Sequence, residues 1–535
     1  MAAVLLSLIL GLGITYLAVT LLQNQLNKSR QPPLPPGPKG LPLLGNLNDF
    51  PKPGTSEAHH WSEHKKLYGP ISSVTVWGQT IIIINDARIA IELLEKRSVK
   101  YSSRPQLVFA GELVGLENTI VFSPNNRRHR IMRKSVARAI GSVIERSKGD
   151  IQMAEAAHFL LHVLESPADF LYHIRKAVGA TILKMSYGYT AEAHQDDILI
   201  SMISDIVGKA SLSSVPGAFM VDLFPFLKRV PDWVPGTAWK KIARQWAAET
   251  MTMMDLTDAF VRHQMAHGMN ETSFMSELIN AGDSDPETVA AIECFYLAMT
   301  IYPEVQRRGQ EEIDRVIGKN RLPTLADRGA LTYIDAIVKE TLRWHPVTPI
   351  GFPHQTTEDD VFEDHFIPKG SMLLANIWQF THDPELYPSP ETFKPDRFLT
   401  IDGHEPETDP REFVFGFGRR ICAGMDLADQ NIFLIIAQSL AVFDISRSAE
   451  NGMDAECKPK FQYGVVTHPS PFKSTIKPRS PHHKKMIKSL EDVYPWQQSD
   501  GRTLERIAHE GNQSADIQRW MATIPGLSSR PDRVN

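Results

Sequence analysis

Cys422 stands in a ten-residue stretch that can fold in few ways. The stretch is Phe415-Gly416-Phe417-Gly418-Arg419-Arg420-Ile421-Cys422-Ala423-Gly424, set directly before a helical pattern over Met425 to Val442. Glycines on both sides let the backbone bend where a side chain would block it. Neighbouring guanidinium charge and the open amides of a helix start both favour thiolate over thiol. One cysteine held in this way suits a single soft ligand bond, since a zinc cage needs four ligands. The same residues also read as a small buried thiol packed as an apolar group. The other cysteines, Cys294 and Cys457, lie far off in sequence. An odd, sparse set in a long chain excludes a disulfide framework.

A loop of this kind needs a large body around it, and 535 residues supply one. Apolar residues at 42% and charged residues at 22% are ordinary globular composition and exclude wholesale disorder. With 57 basic and 62 acidic residues the net charge is −5, so no basic excess points to nucleic acid as a partner. At the amino end, Ala2 to Leu22 carries no charge. As a helix it would cross a hydrocarbon core of about 30 Å. Lys28 and Arg30 follow it, which places the rest of the chain on the cytoplasmic side of a single-pass anchor, residues 1–30. The run Pro32-Pro33-Leu34-Pro35-Pro36-Gly37-Pro38 is stiff and extended, a hinge over residues 31–46.

Periodicity makes the body mainly helical with small β-sheets, an α+β fold in one large domain over residues 47–478. Ile71 to Asn85 reads as two strands hinged at Gly78-Gln79, and Asp86 as the N-cap of a helix to Lys96. Residues from about 145 to 345 are mostly helix-like, and Ser371 to Ile377 is strand-like. Residues 479–535 form a polar extension, opened by His482-His483-Lys484-Lys485, with short helical patterns near Thr503 to Glu510 and Ala515 to Met521. This extension is expected to be a loosely attached tail.

The cysteine stretch resembles the haem-thiolate loop of cytochromes P450, Phe-x-x-Gly-x-Arg-x-Cys-x-Gly, at Phe415, Gly418, Arg420, Cys422 and Gly424. Upstream, Glu340-Thr341-Leu342-Arg343 matches the family's Glu-x-x-Arg. Phe393-Lys394-Pro395-Asp396-Arg397-Phe398 resembles its second element, with Asp396 in place of glutamate. Anchor and proline hinge are similar to those of microsomal members, with a flavour of fungal secondary metabolism. The resemblance implies haem b with Cys422 as axial ligand of the iron, electrons from NADPH through a cytochrome P450 reductase, and an endoplasmic reticulum membrane location. It also implies a strut of Glu340, Arg343 and Arg397 behind the cysteine loop. The basic run Arg127 to Lys134 resembles the helix that meets a haem propionate, with Arg130 in the propionate-binding place and Asn126 where the family has tryptophan.

The family's oxygen-activating helix carries Ala/Gly-Gly-x-Asp/Glu-Thr-Thr at its middle. Here Thr288 to Thr300 resembles its second half, and Asp283 to Glu287 resembles the loop before it. By that comparison about 20 residues, or about 30 Å of helix, are absent near 285–288. Thr288 and Glu287 are the candidates for the proton-delivering hydroxyl and acid; they also read as the plain start of a shortened helix. Substrate contact is expected from Arg104 to Ser123, Ser211 to Trp233 and Pro346 to His354, an apolar lining for an apolar small molecule. The implied function is a monooxygenase acting on an apolar secondary metabolite. The alternative is a haem-binding protein of the same fold with impaired oxygen activation, as a rearrangement enzyme or an inactive remnant.

Overall fold

The protein is seen in a computed structural model that describes residues 31–521 apart from 43, 53, 148, 216, 269–272, 274, 276–286, 402, 404, 449–458 and 512–513. The expected anchor at 2–22, residues 283–286 and Cys457 therefore lie outside the described residues. Among the described residues no helix is long and apolar enough to cross a membrane.

Thirteen helices of eight residues or more occur among the described residues. They are α1 (Glu57–Tyr68), α2 (Arg127–Ser147), α3 (Asp150–Glu165), α4 (Phe170–Tyr187), α5 (Ile198–Ser213), α6 (Ala238–Ala266) and α7 (Glu287–Ile301). There follow α8 (Pro303–Val316), α9 (Thr332–Trp344), α10 (Met425–Val442), α11 (Pro481–Lys488), α12 (Gly501–Glu510) and α13 (Ser514–Met521). Among the described residues, the one sheet of more than two strands orders β1 (Ile71–Val76), β2 (Gln79–Ile84), β4 (Met372–Ala375) and β3 (His354–Gln355) as β1-β2-β4-β3. The expected hairpin is present, with Ile71 opposite Ile84, but its turn falls one residue earlier than expected, at Trp77-Gly78, both at positive φ. Strand β2 has isoleucine at four successive positions because both its faces are covered. Ile82 and Ile84 pack with Leu373 and Ala375, whereas Ile81 and Ile83 pack with Trp61 and Val74. Asp86 caps the next helix as expected, its side chain accepting from the amides of Arg88 and Ile89.

The proline segment is extended and pinned to this sheet. The Pro36 carbonyl accepts from the Ser73 amide, and the Pro35 carbonyl from the Ser73 hydroxyl. Helix α7 is mostly apolar, with Ala290, Ala291, Ile292 and the run Cys294 to Met299 buried, and its buried Glu293 is met by Arg175 and His468. Such a helix belongs at the centre of a core, and it packs against α4, α9 and α10.

The carboxyl-terminal extension is not loosely attached. Ser480 caps α11, and His483 and Ile487 are buried. Leu504, Ile507 and Ala508 of α12, with Ile517 and Trp520 of α13, join one core with Leu256, Phe260 and Val261 of α6. Their i, i+3, i+4 spacing gives α12 an apolar stripe that a free tail would expose. The Trp520 indole also donates to Asp205 on α5 at 2.5 Å.

Candidate active site

The cysteine loop is folded by its glycines. Gly416 has φ +80° and Gly418 φ +51°, and a Cβ on Gly418 would lie 2.6 Å from the Leu94 carbonyl oxygen. Only glycine fits that backbone and that contact. The Cys422 amide donates to the Phe415 carbonyl at 2.7 Å, closing the loop beneath the half-buried thiol. Phe415 is buried in the main core with Trp344 and Phe393. Gly424 is the N-cap position of α10, which carries the loop into the centre of the molecule.

Behind the loop stands a carboxylate between two guanidiniums. Glu340, Arg343 and Arg397 are 0%, 0% and 2% exposed. Arg343 Nε donates to Glu340 Oε2 at 2.7 Å and Arg343 Nη2 to Oε1 at 2.9 Å. Arg397 Nε lies 3.2 Å from Glu340 Oε2, and the Lys394 amide donates to Oε1 at 2.6 Å. Sequence reasoning missed Glu407, which accepts from Arg397 Nη1 at 2.7 Å and supplies a second, half-buried negative charge. No local spacing signals it. Asp396, in the place of the family's glutamate, takes no part in this group; it is held by both terminal nitrogens of Arg308 at 2.6 Å.

Cys422 opens onto a cavity of about 750 Å3. Phe415, Gly416, Phe417, Arg420 and Gly424 line it too, with Arg104 and Arg133. Arg420 is buried and donates to the carbonyls of Ser102, Ile120 and Ser123 and to His129 Nε2. Burial, with Arg133 nearby, pushes its guanidinium down to about 10. Burial and the charges of Arg420 and Arg133 push Arg104 well below its usual range. Arg133 is itself depressed by burial, an effect that negative charge at Cys422 offsets. Among the described residues none of these three arginines forms an ion pair with a carboxylate. Converging cations beside a cysteine, without acids of their own, fit the propionates of a haem whose iron the thiolate would hold.

Arg130 is not where the resemblance puts it. It is exposed and lies outside the cavity lining, whereas Arg133, one turn further along α2, faces in. A helix turns by about 3.6 residues, so positions three apart share a face only approximately; the inward face here carries Met132, Arg133 and Val136.

Thr288 also falls elsewhere, and the Glu287 side chain lies outside the described residues. Helix α7 begins at Glu287, Thr288 is 2% exposed, and no described residue of α7 lines the cavity. That wall comes from α6, through Met251, Met254, Asp255, Thr257 and Asp258. The segments before α2 and between α9 and β3 behave as expected, since Leu116, the stretch Asn118 to Phe122, Thr348, Phe352 and His354 all line the cavity. Among the described residues of Ser211 to Trp233, only Ser211 and Ser214 do. Phe219 stacks on Phe109 instead, and Phe224 packs against Trp77 and Phe226 on the outer surface.

Residues 35–476 match the family description Cytochrome P450. The chain is 42% identical over 499 residues to cytochrome P450 monooxygenase claR of Ampulloclitocybe clavipes, covering 89% of this chain and 92% of that protein. It is 41% identical over 508 residues to cytochrome P450 monooxygenase 208 of Postia placenta, covering 91% and 98%. To the O-methylsterigmatocystin oxidoreductase of Aspergillus flavus it is 38% identical over 504 residues, covering 90% and 94%. The likeness to these fungal enzymes extends over most of the chain, so the protein belongs to the cytochrome P450 family and is an oxidoreductase of its monooxygenase class.

Proposed function

We propose that the protein holds haem b through Cys422 and inserts one oxygen atom from O2 into an apolar secondary metabolite, using NADPH-derived electrons from a cytochrome P450 reductase. The observation that carries the reading is the cavity itself, with a half-buried thiol and three arginines lacking acid partners on one wall. Bound haem would supply the redox chemistry, in which one oxygen atom enters the substrate and the other leaves as water. Cys422 would hold the iron, and Arg104, Arg133 and Arg420 would meet the propionates. Glu340, Arg343 and Arg397 keep the loop from moving, and Phe122 and Phe352 offer aromatic faces to the substrate. Six methionines, Met132, Met185, Met251, Met253, Met254 and Met275, add a polarisable lining that adapts to varied shapes. The Aspergillus flavus relative is an O-methylsterigmatocystin oxidoreductase, and an apolar secondary metabolite of that kind fits this lining.

The uncharged run at residues 2–22 supports a single-pass anchor in the endoplasmic reticulum membrane with the body in the cytoplasm. The test of the activity is turnover of a panel of apolar secondary metabolites, O-methylsterigmatocystin among them, with reductase, NADPH and 18O2. One labelled oxygen atom in the product supports the reading; product formed without reductase, or without label, overturns it.

One observation favours a second reading. No described residue of α7 reaches the cavity, so the expected Thr288 hydroxyl does not face it. A rearrangement enzyme that needs no oxygen activation would tolerate that, and it would turn over without NADPH.

A further inference from the structure

Outside the haem cavity, helix α3 carries His162 and Glu165 at i and i+3, and the segment between α4 and α5 carries His194. One ligand atom from each of these three residues lies within 4.8 Å of the others. Tetrahedral zinc with nitrogen and oxygen ligands at about 2.0–2.2 Å spaces its ligands by about 3.4 Å, so small side-chain rotations close the set. Among the described residues, none of the three side chains has a hydrogen bond or ion pair to give up.

The two histidines are also held in place. Trp496 packs against His162 at 5.0 Å and His194 at 4.9 Å between ring centroids. His158 beside them is already engaged, stacked on Trp496 at 4.0 Å with its Nε2 on the Tyr494 carbonyl at 3.1 Å. The segment bearing His194 is tied down on both sides: Lys176 donates to the Gln195 carbonyl at 2.9 Å, and the Ser499 hydroxyl donates to Glu192 at 2.7 Å. Tyr494, Trp496 and Ser499 follow residue 476, where the family match ends, so this arrangement belongs to the chain's own extension.

The electrostatics admit a cation. Lys176 lines the adjoining cavity, and the negative charges of Asp197, Asp196, Glu192 and Glu155 act on it. A second cavity of about 440 Å3, lined by His158, His162, Lys176 and Trp496, gives water a route to an open fourth position.

We propose that His162, Glu165 and His194 form a Zn2+ site that clips helix α3 to the segment before α5 and thereby fixes the docked extension. Two imidazoles and one carboxylate select zinc over magnesium or calcium, which prefer oxygen alone. The site stands apart from the haem cavity and does not depend on the proposed activity.

The experiment is a Zn2+ titration of the full haem-loaded chain after chelation, read by calorimetry and by zinc content after dialysis. One retained equivalent is expected, with the unfolding midpoint raised by about 2–4 °C at saturating zinc. Glu165 and His194 are exposed, so Glu165→Gln and His194→Ala should fold. Each should weaken zinc binding at least tenfold while the carbon monoxide spectrum of the haem stays unchanged. His263→Ala is the control, since His263 and His267 form another histidine pair with ring centroids 4.2 Å apart. No retained zinc, equal retention in Glu165→Gln and His194→Ala, or loss only in His263→Ala would overturn the proposal.

Discussion

Glu340 has two guanidiniums and a backbone amide on its two oxygens, all out of water. Removing it leaves Arg343 and Arg397 as buried charges with Glu407 as their remaining acid. Breaking a buried pair from one side costs about 3–5 kcal/mol. Glu340→Ala is therefore expected to lower the haem-to-protein ratio of purified protein severalfold, where a merely catalytic residue would leave haem content intact. Absorbance of bound haem against total protein decides it. This group was legible in the sequence because Glu340 and Arg343 are spaced as one helix face and Arg397 sits in a recognisable element. Glu407, Arg104 and Arg133 were not, because they meet their partners only through tertiary packing across many residues. Arg130 was misplaced for a related reason: a run of basic residues on one helix does not say which of them points inward.

Helix α7 and the extension carry the element-scale results. Since the described residues of α7 stay out of the cavity, Thr288→Ala should change product formed per NADPH by less than about twofold. The comparison of coupling in the two proteins measures this; a collapse of coupling would return the hydroxyl to the oxygen site, where loss of a positioned group costs about a hundredfold or more. The extension acts on the other wall. Leu504 is 1% exposed against α6, which lines the cavity, so Leu504→Asp should cost several kcal/mol through burial of an unpaired charge. Faster proteolysis of residues 480–521 and a lower unfolding midpoint are the expected readouts. The hairpin at Ile71 to Ile84 and the helix Met425–Val442 were readable because their periods are strong. The docking of α12 was also encoded, in the spacing of Leu504, Ile507 and Ala508, but polar flanking composition concealed it. What a stripe packs against is not written in the stripe.

At the scale of the whole molecule, several histidines are buried in neutral form. Burial pushes His64 and His129 down to about 4 and His345 down to about 3, from an ordinary value of 6.5. As pH falls below about 6.5 the unfolded chain takes up protons that the folded chain refuses, so folding stability falls with it. The loss should run from about pH 6.5 to about pH 4, at up to about 1.4 kcal/mol per pH unit for each histidine. Denaturant midpoints at pH 7, 6 and 5 test this, and a midpoint rising toward pH 5 would contradict it. The central claim is that loop, strut and arginine wall assemble around one thiolate-bound haem, and the spectrum of the reduced protein with carbon monoxide reads that assembly directly. The account predicts the strongly red-shifted Soret band of thiolate ligation in the intact chain and its disappearance in Cys422→Ser. A thiolate-type band that survives Cys422→Ser, or its absence from an intact chain that retains haem, would contradict it.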